Sequence, residues 1–199
     1  MLNNRIVSPL GEAQWPFLQT PDTKFNPEGV YRVNMVFERT PEVMKFINEL
    51  ENILNEFNNH VQNVERKKVS IVKPVYEETD DGKILLKFKQ NAKIIPKDRS
   101  KDPIDVKIAI FDKFNRPLDP DVKIGNGSKC KIAFMPVGYH QPSTRAVGLT
   151  LRIVAVQVRE LVTYGDSNDG ATYGFDAEQQ NEEAPFPFDA IEDDNPSDF

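Results

Sequence analysis

Apolar and polar residues alternate along several stretches of the chain, which is the pattern of β-strands with one buried face. The first clear stretch places Tyr31, Val33, Met35 and Phe37 on one side, after the turn-forming residues 26–29. Four more strands are predicted downstream, over residues 83–95, 104–111, 129–134 and 146–162. The alternation therefore predicts at least five strands.

One segment repeats its apolar residues with the 3.6-residue period of an α-helix. Thr40 suits the N-cap and Pro41 the first helical position, and Asn58 and Asn59 are expected to end the helix. Its apolar face consists of Val43, Phe46, Ile47, Leu50, Ile53, Leu54 and Phe57. We therefore predict a mainly β fold, a five-stranded antiparallel barrel of the OB type with one inserted amphipathic helix.

The end of the chain has a composition of its own. Residues 165–199 contain eleven acidic side chains and no Lys or Arg, with Phe175, Phe186, Phe188 and Phe199 among them. Acidic residues without counterions repel one another and bury little apolar surface, so we expect this segment to be disordered. The chain is therefore predicted to consist of a folded domain, residues 1–164, and an acidic tail, residues 165–199.

Charge is distributed unevenly along the chain. The whole chain has 25 Lys and Arg against 31 Asp and Glu, whereas the part before the tail has the same 25 basic residues against 20 acidic ones. The excess is concentrated in residues 83–159, where sixteen basic residues accompany six Asp. Such a surface suits a polyanion, although Lys also keeps exposed strands soluble and protects sheet edges. Charge alone leaves both interpretations open.

Alternation also predicts where the basic side chains point, because successive strand residues face opposite sides of a sheet. The side chains predicted to face away from the core are Lys83, Leu85, Lys87, Lys89, Lys107, Phe111, Lys129 and Lys131. If their three strands are neighbours, the lysines form one basic stripe. Single-stranded nucleic acid binds such a stripe, since its phosphates need cations.

The bases of a single strand also need flat apolar surfaces, and stacking on an aromatic ring is worth about 1–3 kcal/mol per base. Phe111 and Tyr139 are candidates, followed by Trp15 and Phe17. Each ring has a structural alternative. Tyr139 can cover a barrel end from a loop, and Trp15 and Phe17 can pack in the core or at its rim.

The acidic tail is predicted to compete with nucleic acid for the basic stripe. A tethered segment meets its site at an effective concentration that can reach about millimolar. When a nucleic-acid strand displaces it, the tail becomes free to bind proteins. The alternative is that the tail merely improves solubility.

Candidate catalytic groups are few. His60 lies near the end of the predicted helix, His140 in a predicted loop, and the single Cys130 at an inward strand position. These residues assemble neither a zinc cluster nor a Cys–His dyad. Residues 125–128, Gly-Asn-Gly-Ser, indicate a turn and not a phosphate loop. We expect no catalytic activity, no metal and no cofactor, and a nuclease that uses tail carboxylates is the weakest alternative.

The expected environment is a reducing cytoplasm, because one cysteine cannot form an internal disulfide. No apolar segment approaches the roughly twenty residues that a membrane span needs. No export signal is expected at the start of the chain.

Several short motifs occur in an order that resembles a known family, the replication single-stranded DNA-binding proteins of T-odd coliphages and related tailed phages. The resemblance covers nearly all of the chain. The motifs are Ser8-Pro9-Leu10-Gly11, Gly29-Val30-Tyr31-Arg32-Val33, Lys87-Phe88-Lys89, Gly127-Ser128-Lys129-Cys130-Lys131, Ala146-Val147-Gly148 and an acidic end that closes on Asp198-Phe199.

The resemblance implies an OB-fold with an inserted helix that binds single-stranded DNA without sequence preference. It also implies a tail that contacts the replicative DNA polymerase and the helicase-primase and that supports homodimers. By motif position, Lys87 and Lys89 take the DNA-contacting role, Tyr139 takes base stacking, and Arg5 lies where the family has basic residues.

We therefore expect a protein that coats single-stranded DNA in phage replication, recombination and repair, in the cytoplasm of the infected bacterial host. The expected nucleic-acid-binding residues are Arg5, Lys87, Lys89, Lys107, Phe111, Lys129, Lys131, Tyr139, Arg145 and Arg152. The tail residues expected to bind partner proteins are Phe186, Phe188, Asp193, Asp194, Asp198 and Phe199. The alternatives are a protein-only interaction module and an RNA-binding or strand-annealing protein.

Overall fold

The computed structural model describes residues 5–163, except for Lys97, Arg99 and Lys101. Its helical elements are α1 (Pro41–Asn59) and a π-helical turn (His60–Val64). Its strands are β1 (Ile6–Val7), β2 (Gly11–Asp22), β3 (Val30–Phe37), β4 (Ile71–Val72), β5 (Glu77–Glu78), β6 (Ile84–Asn91), β7 (Lys93–Ile94), β8 (Ile104–Asp105), β9 (Ala109–Phe111), β10 (Lys129–Gln141) and β11 (Ala146–Glu160). The predicted fold class, mainly β with one helix, is confirmed.

Helix α1 begins and ends where the sequence predicts. The Thr40 hydroxyl accepts a hydrogen bond from the Val43 amide at 3.3 Å, and Pro41 opens the first turn. Both features are favoured because the first amides of a helix lack helical partners. The buried face of α1 consists of Val43, Phe46, Ile47, Leu50 and Leu54, as the 3.6-residue period predicts.

Five strands close into a ring. β2 pairs with β3, β3 with β6, β6 with β11, β11 with β10, and β10 with β2. Four of these pairings are antiparallel, as predicted, and the β6–β11 pairing is parallel. A parallel pair needs a long connection in place of a hairpin, and the chain between β6 and β11 supplies one.

Aromatic side chains link the helix to the inside of the ring. The Phe46 ring of α1 lies 6.5 Å from the Phe37 ring and 6.0 Å from the Phe134 ring, centroid to centroid. Phe134 in turn lies edge-to-face against Phe88 at 5.1 Å. All four rings are buried, so α1 covers one side of the core that the barrel strands enclose.

Two strand predictions are wrong. The single strand expected over residues 104–111 is divided, because β8 pairs with β7 whereas β9 pairs with β11. Strand β2 is absent from the prediction. Its pattern is interrupted by Pro16, Pro21 and a bulge at Trp15, whose φ is +51°.

Other boundaries shift without changing the topology. Strand β10 extends to Gln141, well beyond the predicted end, and the stretch over residues 83–95 divides into β6 and β7. Within the described residues, no helix has the length and hydropathy needed to cross a membrane. The tail residues Phe186, Phe188, Asp193, Asp194, Asp198 and Phe199 and the boundary at residue 164 lie outside the described residues, so these predictions remain predictions.

Candidate nucleic-acid interface

Strand β6 places its lysines on the outer surface of the barrel. Ile84, Leu86 and Phe88 are buried in the core. Lys87, which lies between Leu86 and Phe88, and Lys89, which follows Phe88, are exposed. The alternation predicted from the sequence is therefore confirmed on this strand. The outward direction of both lysines follows from the burial of their apolar neighbours.

Three basic residues form a row across three adjacent strands. Lys89 on β6 lies opposite Arg32 on β3 and also opposite Arg152 on β11. Neighbouring strands are about 4.8 Å apart, so the three side chains start within about 10 Å of one another. Like charges directly opposite destabilise a sheet, so folding alone gives no reason for this basic row.

Two acidic residues balance the ends of this surface. Asp22 pairs with Arg32 at 2.7 Å, and Glu77 on β5 pairs with Lys87 at 2.6 Å. No carboxylate in the described part of the chain forms an ion pair with Lys89 or Arg152. The positive charge is therefore least compensated at Lys89, in the centre of the row, and at Arg152, at its β11 end.

Tyr139 lies on the same outer surface, in a strand and not in the predicted loop. It belongs to β10 and lies opposite Gly148 on β11. Its ring covers the glycine so closely that a Cβ on Gly148 would come within 2.6 Å of the Tyr139 hydroxyl oxygen. Four residues earlier on β10, Met135 lies opposite Arg152, so the ring is about 13 Å along the strand from the basic row. We call Tyr139, Lys87 and the basic row together the basic face.

Phe17 borders the basic face, and Phe25 is a second exposed ring that the sequence patterns did not single out. Phe17 on β2 lies opposite Arg32, whose guanidinium carbon is 4.9 Å from the ring centroid. Phe25, in the loop between β2 and β3, is 84% exposed, with Lys24 Nζ 5.4 Å from its centroid. An isolated Phe in a polar loop beside Lys, Asn and Pro was the signal that could have identified Phe25.

Arg5 and Arg145 lie at two borders of the same surface. Arg5 immediately precedes Ile6, which pairs with Phe134 on β10. The next residue on β10, Met135, lies opposite Arg152. Arg5 and Arg152 are therefore at similar positions along β10. Arg145 occupies the turn between β10 and β11 with a φ of +51°. Both side chains are exposed.

The structure separates Lys129 and Lys131 from the basic face. On β11, Lys131 lies opposite Gln157, five residues beyond Arg152, which is about 16 Å along the strand. The strands that carry the predicted lysines are not neighbours, because β11 lies between β6 and β10. The expectation of a single stripe is therefore wrong, although the alternation on each strand was right.

Acidic and basic residues surround the displaced pair. Lys129 lies opposite Glu12 on β2 and Glu160 on β11. Both lysines line a cleft of about 490 Å³ that also contains Lys83 and Arg159 together with Glu12, Glu38 and Glu42. This cleft has mixed charge, whereas the basic row has none of these acids opposite it.

Lys107 and Phe111 also lie away from the row. Lys107 is in the link between β8 and β9 and lines a cleft of about 300 Å³ beside Tyr31. Phe111 ends β9, is half-buried, and lies opposite Gln157 on β11. Because the predicted strand is divided, the two side chains do not continue the β6 surface.

The groups considered for catalysis do not form a reactive site. Cys130 is fully buried in β10, as predicted, and burial raises the pKa of its thiol to about 12. His60 Nε2 lies 3.6 Å from a Glu65 carboxylate oxygen on the exposed π-helical turn. Among the described residues, no three His, Cys, Asp or Glu side chains cluster as metal ligands would.

Comparisons with known proteins found relatives that match most of the chain. The chain matches, over residues 10–161, the model of the family described as single-stranded DNA-binding protein of bacteriophage T7. It is 25% identical over 189 residues to the single-stranded DNA-binding protein of Escherichia phage T7, covering 85% of this chain and 81% of that protein. The corresponding protein of Enterobacteria phage T3 is 24% identical over 184 residues, with 82% and 78% covered.

Solved structures share the fold. The crystal structure of gp2.5, a single-stranded DNA-binding protein encoded by bacteriophage T7, superposes with a TM-score of 0.69 at 22% identity, over 84% of this chain and 98% of that one. The single-stranded DNA-binding protein of bacteriophage Enc34 in complex with single-stranded DNA gives a TM-score of 0.55 at 10% identity, over 82% and 91%.

Proposed function

Because the chain belongs to the family of the bacteriophage T7 single-stranded DNA-binding protein, we propose that its basic face binds single-stranded DNA without sequence preference. The family consists of binding proteins and not enzymes, so the predictions of the family and of a non-catalytic protein are confirmed. The relatives are phage proteins, and we place the activity in phage DNA replication and recombination, in the cytoplasm of the infected bacterium.

The observation that carries this proposal is the basic row. Arg32, Lys89 and Arg152 face one another across three strands, and no described carboxylate neutralises the last two. A phosphate chain crossing the strands supplies the missing negative charge, and the counterions that it releases drive binding. Repulsion that weakens the free protein is thereby relieved in the complex.

Aromatic rings then give the strand its second kind of contact. Tyr139, about 13 Å from the row along β10, presents its ring on the outer surface. Phe17 borders the other side of the row, against Arg32, and Phe25 is exposed in the loop that precedes β3. Base stacking tolerates every base because each has a π-face, so this arrangement predicts binding without sequence preference.

The two ion pairs at the border differ in exposure. Glu77 and Lys87 are both exposed, and such a pair is worth at most about 1 kcal/mol, so a phosphate can replace this carboxylate at little cost. The Asp22 side chain, which pairs with Arg32, is only 12% exposed, so this pair is exchanged less readily. Both basic side chains are held near their binding positions in the free protein.

We also propose that residues 165–199 form an acidic tail that competes with DNA for the basic face. Its eleven acidic residues and its Phe side chains suit both that face and protein partners. In this proposal, displacement by DNA frees Phe186, Phe188, Asp193, Asp194, Asp198 and Phe199 to bind the replicative polymerase, the helicase-primase or a second copy of the chain. Residues 1–164 are then the DNA-binding domain.

A titration with fluorescent oligothymidylate tests the proposed face. The variants Lys89→Gln and Arg152→Gln should each weaken binding and reduce the salt slope by about one unit, because each removes one phosphate contact. Lys45→Gln, on the exposed side of α1, removes the same charge elsewhere and serves as the control. Equal effects of all three variants would contradict a localised face, and preference for RNA or lack of binding would favour the alternative functions.

A further inference from the structure

The turn after β9, residues 112–117, is held by one carboxylate. Asp112 accepts hydrogen bonds from the backbone amides of Phe114 at 2.8 Å and Arg116 at 2.9 Å, and from Arg116 Nε at 2.9 Å. The amide of Asp112 donates to the Arg116 carbonyl at 2.8 Å. The bond from the Arg116 amide is the largest cause of a lowered Asp112 pKa. The charged carboxylate therefore fixes the shape of the turn.

This turn displays an aromatic ring to solvent. Phe114 is 65% exposed. Lys113 Nζ lies 5.1 Å and the Arg116 guanidinium carbon 5.0 Å from the ring centroid. A single exposed apolar residue is common on protein surfaces, but this one is held on an ordered turn between two cations. A flat ring beside positive charge is the combination that a base and its phosphates require.

The turn is anchored to the same strand that carries Arg152. Phe111, just before the turn, lies opposite Gln157 on β11, and the Gln157 side-chain amide donates to Asn115. Lys131 on β10 also lies opposite Gln157. The anchor is about 16 Å along β11 from Arg152. An OB-fold binds about 4–16 nucleotides, so one strand can reach both places.

We propose that Phe114 is a second stacking site, which holds a base of single-stranded DNA that extends beyond the basic face. Lys113, Arg116 and Lys131 neutralise the adjoining phosphates. The inference rests on the proposed function and adds a separate contact for longer strands. It also gives a role to Lys131 and to the neighbourhood of Phe111, which the basic face leaves out.

Oligonucleotide length separates the two sites. Full-length Phe114→Ala should bind an oligothymidylate of about 16 nucleotides roughly 5- to 150-fold more weakly than the unmodified chain, and one of about 6 nucleotides equally well. Phe114→Tyr keeps a ring and should retain both affinities. Unchanged binding of the longer strand to Phe114→Ala would overturn the proposal, as would the same loss with both lengths.

A fluorescent reporter gives a second readout. In Phe114→Trp, the longer oligonucleotide should quench fluorescence beyond the change of the unmodified chain, whose single tryptophan is Trp15. The shorter oligonucleotide should cause no such additional quenching. If neither oligonucleotide quenches the fluorescence of Phe114→Trp beyond the change of the unmodified chain, stacking at this position is contradicted. If the unmodified chain binds neither oligonucleotide, the proposed function itself fails. If the unmodified chain binds both oligonucleotides and Phe114→Ala binds them equally well, only the second stacking site is contradicted.

Discussion

Gly148 shows how one missing side chain positions an aromatic ring. A Cβ at this position would lie 2.6 Å from the Tyr139 hydroxyl oxygen and 2.8 Å from Cζ. We expect Gly148→Ala to displace the Tyr139 ring and weaken DNA binding, up to the roughly 5- to 150-fold loss expected for Tyr139→Ala. Oligonucleotide titrations of both variants measure the effect.

A double variant tests whether Gly148 acts through Tyr139. If it does, Gly148→Ala should add no loss of affinity in a Tyr139→Ala background, because residues that act as one unit are not additive. Tyr139→Phe should bind nearly as well as the unmodified chain, since the ring remains. Additive losses from the two changes would show that Gly148 acts by another route.

Cys130 gives a prediction about pH. Burial raises its pKa to about 12 from a usual 9.0, so between these values the thiol ionises in the unfolded chain but stays protonated in the folded one. The thiol therefore lowers the free energy of unfolding by about 1.4 kcal/mol per pH unit above 9.

The comparison that isolates this effect is Cys130→Ala, followed by chemical denaturation from pH 9 to 11. The variant should lose stability less steeply than the unmodified chain, although other groups titrate in both. Identical slopes would mean that the thiol ionises in the folded state. A thiol reagent at pH 8 should also react with Cys130 only after unfolding.

At the scale of secondary structure, the sequence was most informative where one pattern continued without interruption. Helix α1 was predicted with its Thr40 cap because its apolar period extends over the whole of Pro41–Asn59. Strand β2 was missed because its prolines and the Trp15 bulge interrupt the alternation. A local sequence pattern predicts a strand only where the hydrogen-bond ladder of that strand is regular. Tertiary contacts produce the irregular stretches, such as the one in β2.

The contact between α1 and β10 gives a prediction of its own. A Cβ on Gly138 would lie 2.4 Å from the Phe57 ring, so Gly138→Ala should destabilise the fold by about 1–3 kcal/mol through overpacking. Thermal or chemical denaturation measures this loss. Phe57→Leu should recover part of it in the double variant, and an undiminished loss would indicate a cause other than this ring.

At the scale of the whole molecule, the sequence predicted which way side chains point but not which strands are neighbours. Lys89 and Lys131 both face outward as predicted, yet they lie on β6 and β10, with β11 between them. The row of Arg32, Lys89 and Arg152 depends on a parallel pairing between strands far apart in the chain. Arg32 joins the row through the antiparallel pairing of β3 with β6, and no local pattern specifies either pairing, which is why Arg32 was not among the expected residues.

The uneven charge of the chain predicts how the acidic tail affects binding. Removing residues 165–199 leaves 25 basic against 20 acidic side chains, so the shortened chain should bind oligothymidylate more tightly. The gain should shrink as salt rises, because salt screens the competing carboxylates as well. A titration of both chains at two salt concentrations measures it, and unchanged or weaker binding would contradict competition by the tail.

Lysine footprinting distinguishes the basic face from the other basic surfaces of the domain, since one sample reports on every lysine. The protein is acetylated with and without saturating oligothymidylate, and the modified peptides are quantified by mass spectrometry. DNA of about 6 nucleotides should protect Lys89 and Lys87 several-fold, while Lys129, in its cleft with Glu12 and Glu38, reacts as before. Protection of Lys129 without protection of Lys89 would contradict the proposed face.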